Sequence, residues 1–291
     1  MFATRRIPRL IALPVAVALA ACGGGDSGAT GDTGAAGGDA GAAPMAVANA
    51  GTINGTVNFT GMAPANQPID MGAEPTCAAQ HPAGPTTQTV IANNGKLANV
   101  FVYLKEGLTG THPAPSTNVE VDQHGCVYIP HVTGVIAGQG IVFKNSDGLA
   151  HNVNAQPQNN RPFNISQPTS MTSAPQRFST SEVMIPIQCD VHGWMQAYVG
   201  VVANPYFATS GEDGNFTIGN VPPGTYTLES WHEHYGVKTA QVTVDPDGTA
   251  TVTFDYDASV ANAVVPLGEP FDPHTDVAAE RRVAQPQPAT R

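Results

Sequence analysis

Along most of the chain, apolar and polar residues alternate with a period of two, the signature of strands that bury one face. Thr52-Ile53-Asn54-Gly55-Thr56-Val57-Asn58-Phe59 shows the pattern first, and residues 89–92 and 97–104 repeat it on either side of Asn93-Asn94-Gly95. An Asn-Gly step between two such runs predicts a hairpin. Further strands are expected at 119–121, 126–129, 140–145, 183–187 and 195–203. A second group follows at 216–218, 225–231, 237–244 and 249–254, punctuated by turns at Asp213-Gly214, Pro222-Pro223-Gly224 and Asp247-Gly248. Short strands at regular spacing predict sandwiches. No long stretch beyond the N-terminus repeats apolar residues at helical spacing, so the expected class is all-β.

The two ends read differently. Residues 1–21 set Arg5, Arg6 and Arg9 ahead of an apolar run too short to span a membrane, and Leu19-Ala20-Ala21-Cys22 matches the lipobox of bacterial lipoprotein signals. Lipid on Cys22 is the expectation, tying the chain to a membrane face outside the cytoplasm. Gly23 is not an acidic retention signal, so in a two-membrane bacterium the periplasmic leaflet of the outer membrane is the expected place. Residues 22–50 are rich in Gly and Ala and read as a disordered tether, with a root-mean-square span of about 30 Å. Residues 258–291 lose the alternation and read as a low-complexity tail.

Composition narrows the partners. Twelve basic side chains face 23 acidic ones, a formal charge of −11, and removal of Arg5, Arg6 and Arg9 with the signal leaves 9 against 23, or −14. That balance excludes nucleic acid and suits a redox protein with a basic face, such as a cytochrome. Neither His-Glu-x-x-His nor Gly-x-Ser-x-Gly occurs, and no enzymatic activity is expected.

The candidate chemistry sits at Cys189-x2-His192-x2-Met195, with His151 thirty-eight positions before the cysteine. A thiolate and a thioether suit the cuprous ion and imidazole suits both oxidation states, so two imidazoles, one thiolate and a distant thioether form a copper site that changes little on electron exchange. His151 must arrive from another strand, for which 142–145 and the Ser146-Asp147-Gly148 turn are the candidates. Zinc is the other ion this set accommodates.

The pattern Phe143-x-Asn145-x-Asp147-x3-His151-Asn152-Val153, followed by Cys189-x2-His192-x2-Met195, resembles the cupredoxins, the blue-copper family of plastocyanin and amicyanin. The resemblance implies a Greek-key β-sandwich over residues 51–203 and one mononuclear copper, with His151, Cys189 and His192 equatorial and Met195 axial. It also implies that the backbone N–H of Asn152 points at the Cys189 sulfur, and that the protein is a one-electron carrier whose His192 ring edge, flanked by Trp194 and Met184, meets solvent. A metal-delivery protein and a non-redox scaffold are the competing classes. Gly193 stands where amicyanin-like loops carry proline, so the loop itself does not fix His192, and acid is expected to detach that ring.

The segment Asp213-Gly214-x-Phe216-x-Ile218-x2-Val221-Pro222-Pro223-Gly224-x-Tyr226-x-Leu228 resembles the carboxypeptidase regulatory-like, transthyretin-like domain, which implies a smaller β-sandwich over 204–257 with no catalytic role. Starting with almost no linker, it is expected to form one body with the first sandwich. Cys77 and Cys126 remain. They either form a disulfide or, with His81 and His124 or His131, hold a second metal. Trp231-His232-Glu233-His234 reads as a pair of exposed surface histidines, with a second metal or a hydrogen-bond bridge to the copper domain as the alternatives, and residues 156–176 as a long connecting loop.

Overall fold

The computed structural model describes residues 47–260, which leaves the signal segment, Cys22, most of the tether and most of the tail outside the described residues. The described chain is nearly all β, arranged in four sheets with one four-residue helix, Pro75–Ala78. Two separate apolar cores show that the sheets form two sandwiches.

The first sandwich is built from both ends of the described chain. Gly51–Thr60 runs parallel to Thr249–Asp257 and antiparallel to Asn215–Val221, while Phe101–Glu106 lies between Phe207–Thr209 and Gly224–His232. Ile53, Val57 and Phe59 therefore face the same core as Phe216, Leu228 and Phe254. This corrects the expected boundary between 203 and 204. The second sandwich, from Val119–Gln123 to Gln196–Val202, is inserted within the first, and residues 51–106 belong with 207–257. Alternation tells a strand which face to bury but not which neighbour to pair with.

Two expectations fare differently within these strands. The hairpin at Asn93-Asn94-Gly95 forms, with Asn94 at φ 51° and Gly95 at φ 73° joining Ala92–Asn93 to Lys96–Leu97, as a primed turn requires. The 156–176 stretch is not all loop: Phe163–Gln167 pairs antiparallel with His151–Ala155.

The sandwiches meet through a small aromatic cluster in which Phe101 and Phe207 of the first lie against Tyr198 and Val202 of the second. Room for those rings comes from a glycine pair, Gly134 and Gly200, facing each other on adjacent parallel strands. A Cβ on Gly134 would lie 2.4 Å from the Phe207 ring, and one on Gly200 would lie 2.7 Å from Phe101. Gly134→Ala is accordingly expected to destabilise the protein by about 1–3 kcal/mol through overpacking. Denaturant unfolding measures this, and an unchanged midpoint would show that the two rings simply step aside.

One segment crosses over. Residues 64–87 leave the first sandwich, and Met71 and Cys77 bury in the core of the second. The helix Pro75–Ala78 lies on this excursion, which Cys77 ties to Cys126 by a disulfide with 5.6 Å between the Cα atoms.

Candidate metal centre

Asn145, at the end of the strand Gly140–Asn145, shapes the turn that delivers the first imidazole. Its Oδ1 accepts the Asp147 N–H at 3.0 Å, and its amide donates to the carbonyls of Leu149 at 2.9 Å and Gln167 at 3.0 Å. Asn and Asp side chains that fold back on their own backbone in this way fix a turn without help from a ladder. His151 then opens the next strand with its ring pointing inward, 1% exposed.

Asp147 holds that ring. Its carboxylate lies 2.9 Å from His151 Nε2 and also accepts the N–H groups of Gly125 at 2.9 Å and Cys126 at 2.8 Å. A carboxylate acceptor puts the imidazole proton on Nε2 and leaves the Nδ1 lone pair facing the pocket. Burial by itself would raise the Asp147 pKa, but the donors from Cys126, His151, Gly125 and Gln80 outweigh it, and the net shift is downward. The sequence motif contains Asp147 but assigns it no task.

The second segment supplies the other donors. Cys189 closes the strand Glu182–Gln188, and the loop returns on itself as its N–H donates to the Met195 carbonyl at 3.2 Å while the Met195 N–H donates to the His192 carbonyl at 2.8 Å. His192 N–H points at the Cys189 sulfur at 3.4 Å. Asn152 joins the two segments: its Oδ1 accepts from the Asp190 N–H at 2.6 Å and the Cys189 thiol at 3.2 Å, while its amide reaches Asp190 Oδ2 at 2.8 Å. Besides the backbone role expected of it, Asn152 therefore clamps the loop through its side chain.

These elements bring His151, Cys189 and His192 together, with one ligand atom from each lying within 4.8 Å of the others. The two Nδ1 atoms are 2.8 Å apart, and His192 Nδ1 lies 3.9 Å from the Cys189 sulfur. Met195 is buried at the end of the loop, in the core cluster that also contains Cys189. Among the described residues Cys189 is the free cysteine. Burial raises its pKa, partly offset by the N–H groups of Asn152, His192 and Val191, so the metal-free thiol is protonated. Two imidazole nitrogens facing one another beside a buried thiol are the donors that copper or zinc would take, and the set fits a soft or borderline ion.

His192 departs from expectation. Its ring is 1% exposed rather than open at its edge, and its Nε2 is buried with no hydrogen-bond partner, 4.0 Å from the Glu74 carboxylate. The covering element is the 64–87 excursion. Gln80 donates to Asp147 at 3.2 Å, and His81 Nε2 lies 2.6 Å from the Gly125 carbonyl, so the cap is tied to the residues that hold the ligands. Gly193 has open space around it and contributes no rigidity. His192 is held instead by the cap, by the Trp194 ring at 5.1 Å and by its bond from Met195. Burial, then the neighbouring His151, lower its pKa, which opposes detachment by acid.

The other expected clusters resolve as structure. Cys77 and Cys126 are bonded to each other, and among the described residues His81, His124 and His131 belong to no group that could hold a metal. Trp231-His232-Glu233-His234 is not a surface cluster: His232 is buried, its pKa lowered to about 3 by burial and then by His234 and His131, and Glu233 pairs with His131 at 2.5 Å. Met184 is not beside His192 either. It joins Phe101, Val132, Tyr198 and Val202 between the sandwiches.

A family model, the carboxypeptidase regulatory-like domain, matches residues 196–257. No curated protein matches. Among solved structures, a novel purple cupredoxin from Nitrosopumilus maritimus is 18% identical over 28% of this chain and 97% of its own, with a TM-score of 0.25. An amicyanin variant in the Cu(I) state is 15% identical over 34% of this chain and 97% of its own, at 0.26. A Cu-containing nitrite reductase from Thermus scotoductus is 18% identical over 32% of this chain, which spans only 24% of that protein, at 0.28.

Proposed function

We propose that this protein binds one copper ion at His151, Cys189, His192 and Met195 and carries single electrons between partners outside the cytoplasm. The observation that carries the reading is the convergence of two imidazole nitrogens and the one free thiol of the described residues in a buried pocket. Copper in such a set supplies a one-electron couple.

The chain's own residues do the rest. Asp147 keeps the His151 lone pair aimed inward, Asn152 holds the Cys189 loop against the His151 strand, and the cap excludes water from His192. A site this closed has no position for substrate, which favours a carrier over an oxidase or reductase. Burial of all four side chains also counts against delivery, since a donor must let its metal leave. The carrier reading includes a lipid anchor on Cys22, a leash over residues 22–50 and a partner with a basic face drawn to a chain of formal charge −14 once Arg5, Arg6 and Arg9 are removed.

Voltammetry of the copper-loaded protein tests the role. A reversible one-electron wave is expected. A metal that cannot be cycled, or that a competing chelator removes at once, would overturn the carrier in favour of a structural or delivery site.

A further inference from the structure

With His192 capped, the electron needs another way out. Besides His151, the other donor imidazole, the ring against His192 is Trp194, at 5.1 Å between centroids, and it is only half buried. Its indole N–H donates to the Cys126 carbonyl at 3.1 Å, which fixes the ring on the disulfide side of the pocket. Trp194 also lines a cleft of about 230 Å³ together with Gly193, Gln196, His131 and Glu233. No Lys or Arg lines this cleft, and since its Glu233 is already paired with His131, the attraction for a cation comes from the formal charge of −11 on the whole chain.

We propose that Trp194 is the electron's exit, passing it from the His192 side of the metal centre to a cationic redox partner seated in this cleft. The inference rests on the carrier reading and replaces the exposed histidine edge with an indole. Tunnelling falls steeply with distance, so the polarisable ring that bridges a buried ligand and the surface sets the rate. The exchange is outer-sphere: one electron leaves Cu(I) and reduces the partner, and no bond is made or broken.

The test uses the full-length copper protein reduced to Cu(I) and the cationic one-electron oxidant tris(phenanthroline)cobalt(III), which ends as Co(II) while the protein ends as Cu(II). With rates compared at each variant's own midpoint potential, Trp194→Leu is expected to slow this reaction by roughly ten-fold or more, and Trp194→Phe, which keeps a ring against His192, to stay near the parent rate. Both variants lose the bond to Cys126, so a role exerted through that bond alone would slow them equally. A second readout needs no turnover: in Trp231→Phe protein the emission left is that of Trp194, and loading with Cu(II) should remove most of it. A Trp194→Leu rate equal to the parent's, equal slowing of both variants, or emission indifferent to copper would overturn the exit. If the parent protein itself gives no reversible couple, it is the carrier reading that fails instead.

Discussion

Replacing Asp147 by alanine is expected to destabilise the metal-free protein by about 2–5 kcal/mol, because it strips the acceptor from several buried donors at once. The N–H groups of Gly125 and Cys126 and the Nε2 of His151 all meet this carboxylate, itself 2% exposed. The effect carries a pH signature. A carboxyl whose pKa is lowered in the folded state stabilises the fold above its unfolded pKa, and that contribution is lost as pH falls through the folded value. The gap between parent and variant should therefore be full at neutral pH and shrink towards acid. Copper affinity should drop by about 10–100-fold, the usual cost of losing the group that orients a ligating histidine. Urea unfolding across pH and a chelator competition measure both, and an Asp147→Ala protein as stable as the parent at neutral pH would show that these donors find water instead.

Removing the Cys77–Cys126 disulfide should be the next most damaging change. The bond closes a separation of 49 residues, and its loss by a paired Cys-to-Ala change is expected to cost about 2–4 kcal/mol. The local consequence is more specific. Cys77 anchors the excursion that puts Glu74 beside His192, and Cys126 donates to Asp147 and accepts from Trp194. Freed from its anchor, the cap should open, so His192 in the metal-free variant should react with diethyl pyrocarbonate well before the protein unfolds. Parental protection of His192 would mean that the hydrogen bonds of Gln80 and His81 hold the cap unaided.

The strands and the donor set were legible in the chain because both depend on local pattern. Alternation at 52–59 exposes a strand, and Cys189-x2-His192-x2-Met195 exposes a loop of candidate donors, without knowledge of neighbours. What stayed hidden depends on contacts across long separations. Nothing in residues 52–59 says that their parallel partner is Thr249–Asp257, so the sandwich with the candidate metal centre looked like the first half of the protein rather than an insertion. Met184 sits close to Cys189 in sequence, yet side chains alternate along the strand Glu182–Gln188: Ile185 and Ile187 enter the site's own core while Met184 turns towards the other sandwich. The burial of His192 was equally out of reach, since the proline-rich stretch 64–87 has no periodicity to say where it lies. Asp147 could have been singled out, because Asn145-Ser146-Asp147-Gly148 carries the composition of a self-bonded turn, and a carboxylate four residues before a ligating histidine is placed to hold it.

The most direct test of the convergence of His151, Cys189 and His192 on one copper ion is the visible spectrum of the protein with one equivalent of Cu(II), recorded beside that of Cys189→Ser. An intense thiolate-to-copper band that bleaches on reduction, and is absent from the serine variant while its fold survives, is the predicted result. A colourless parent, or a band indifferent to the loss of the Cys189 sulfur, would contradict it.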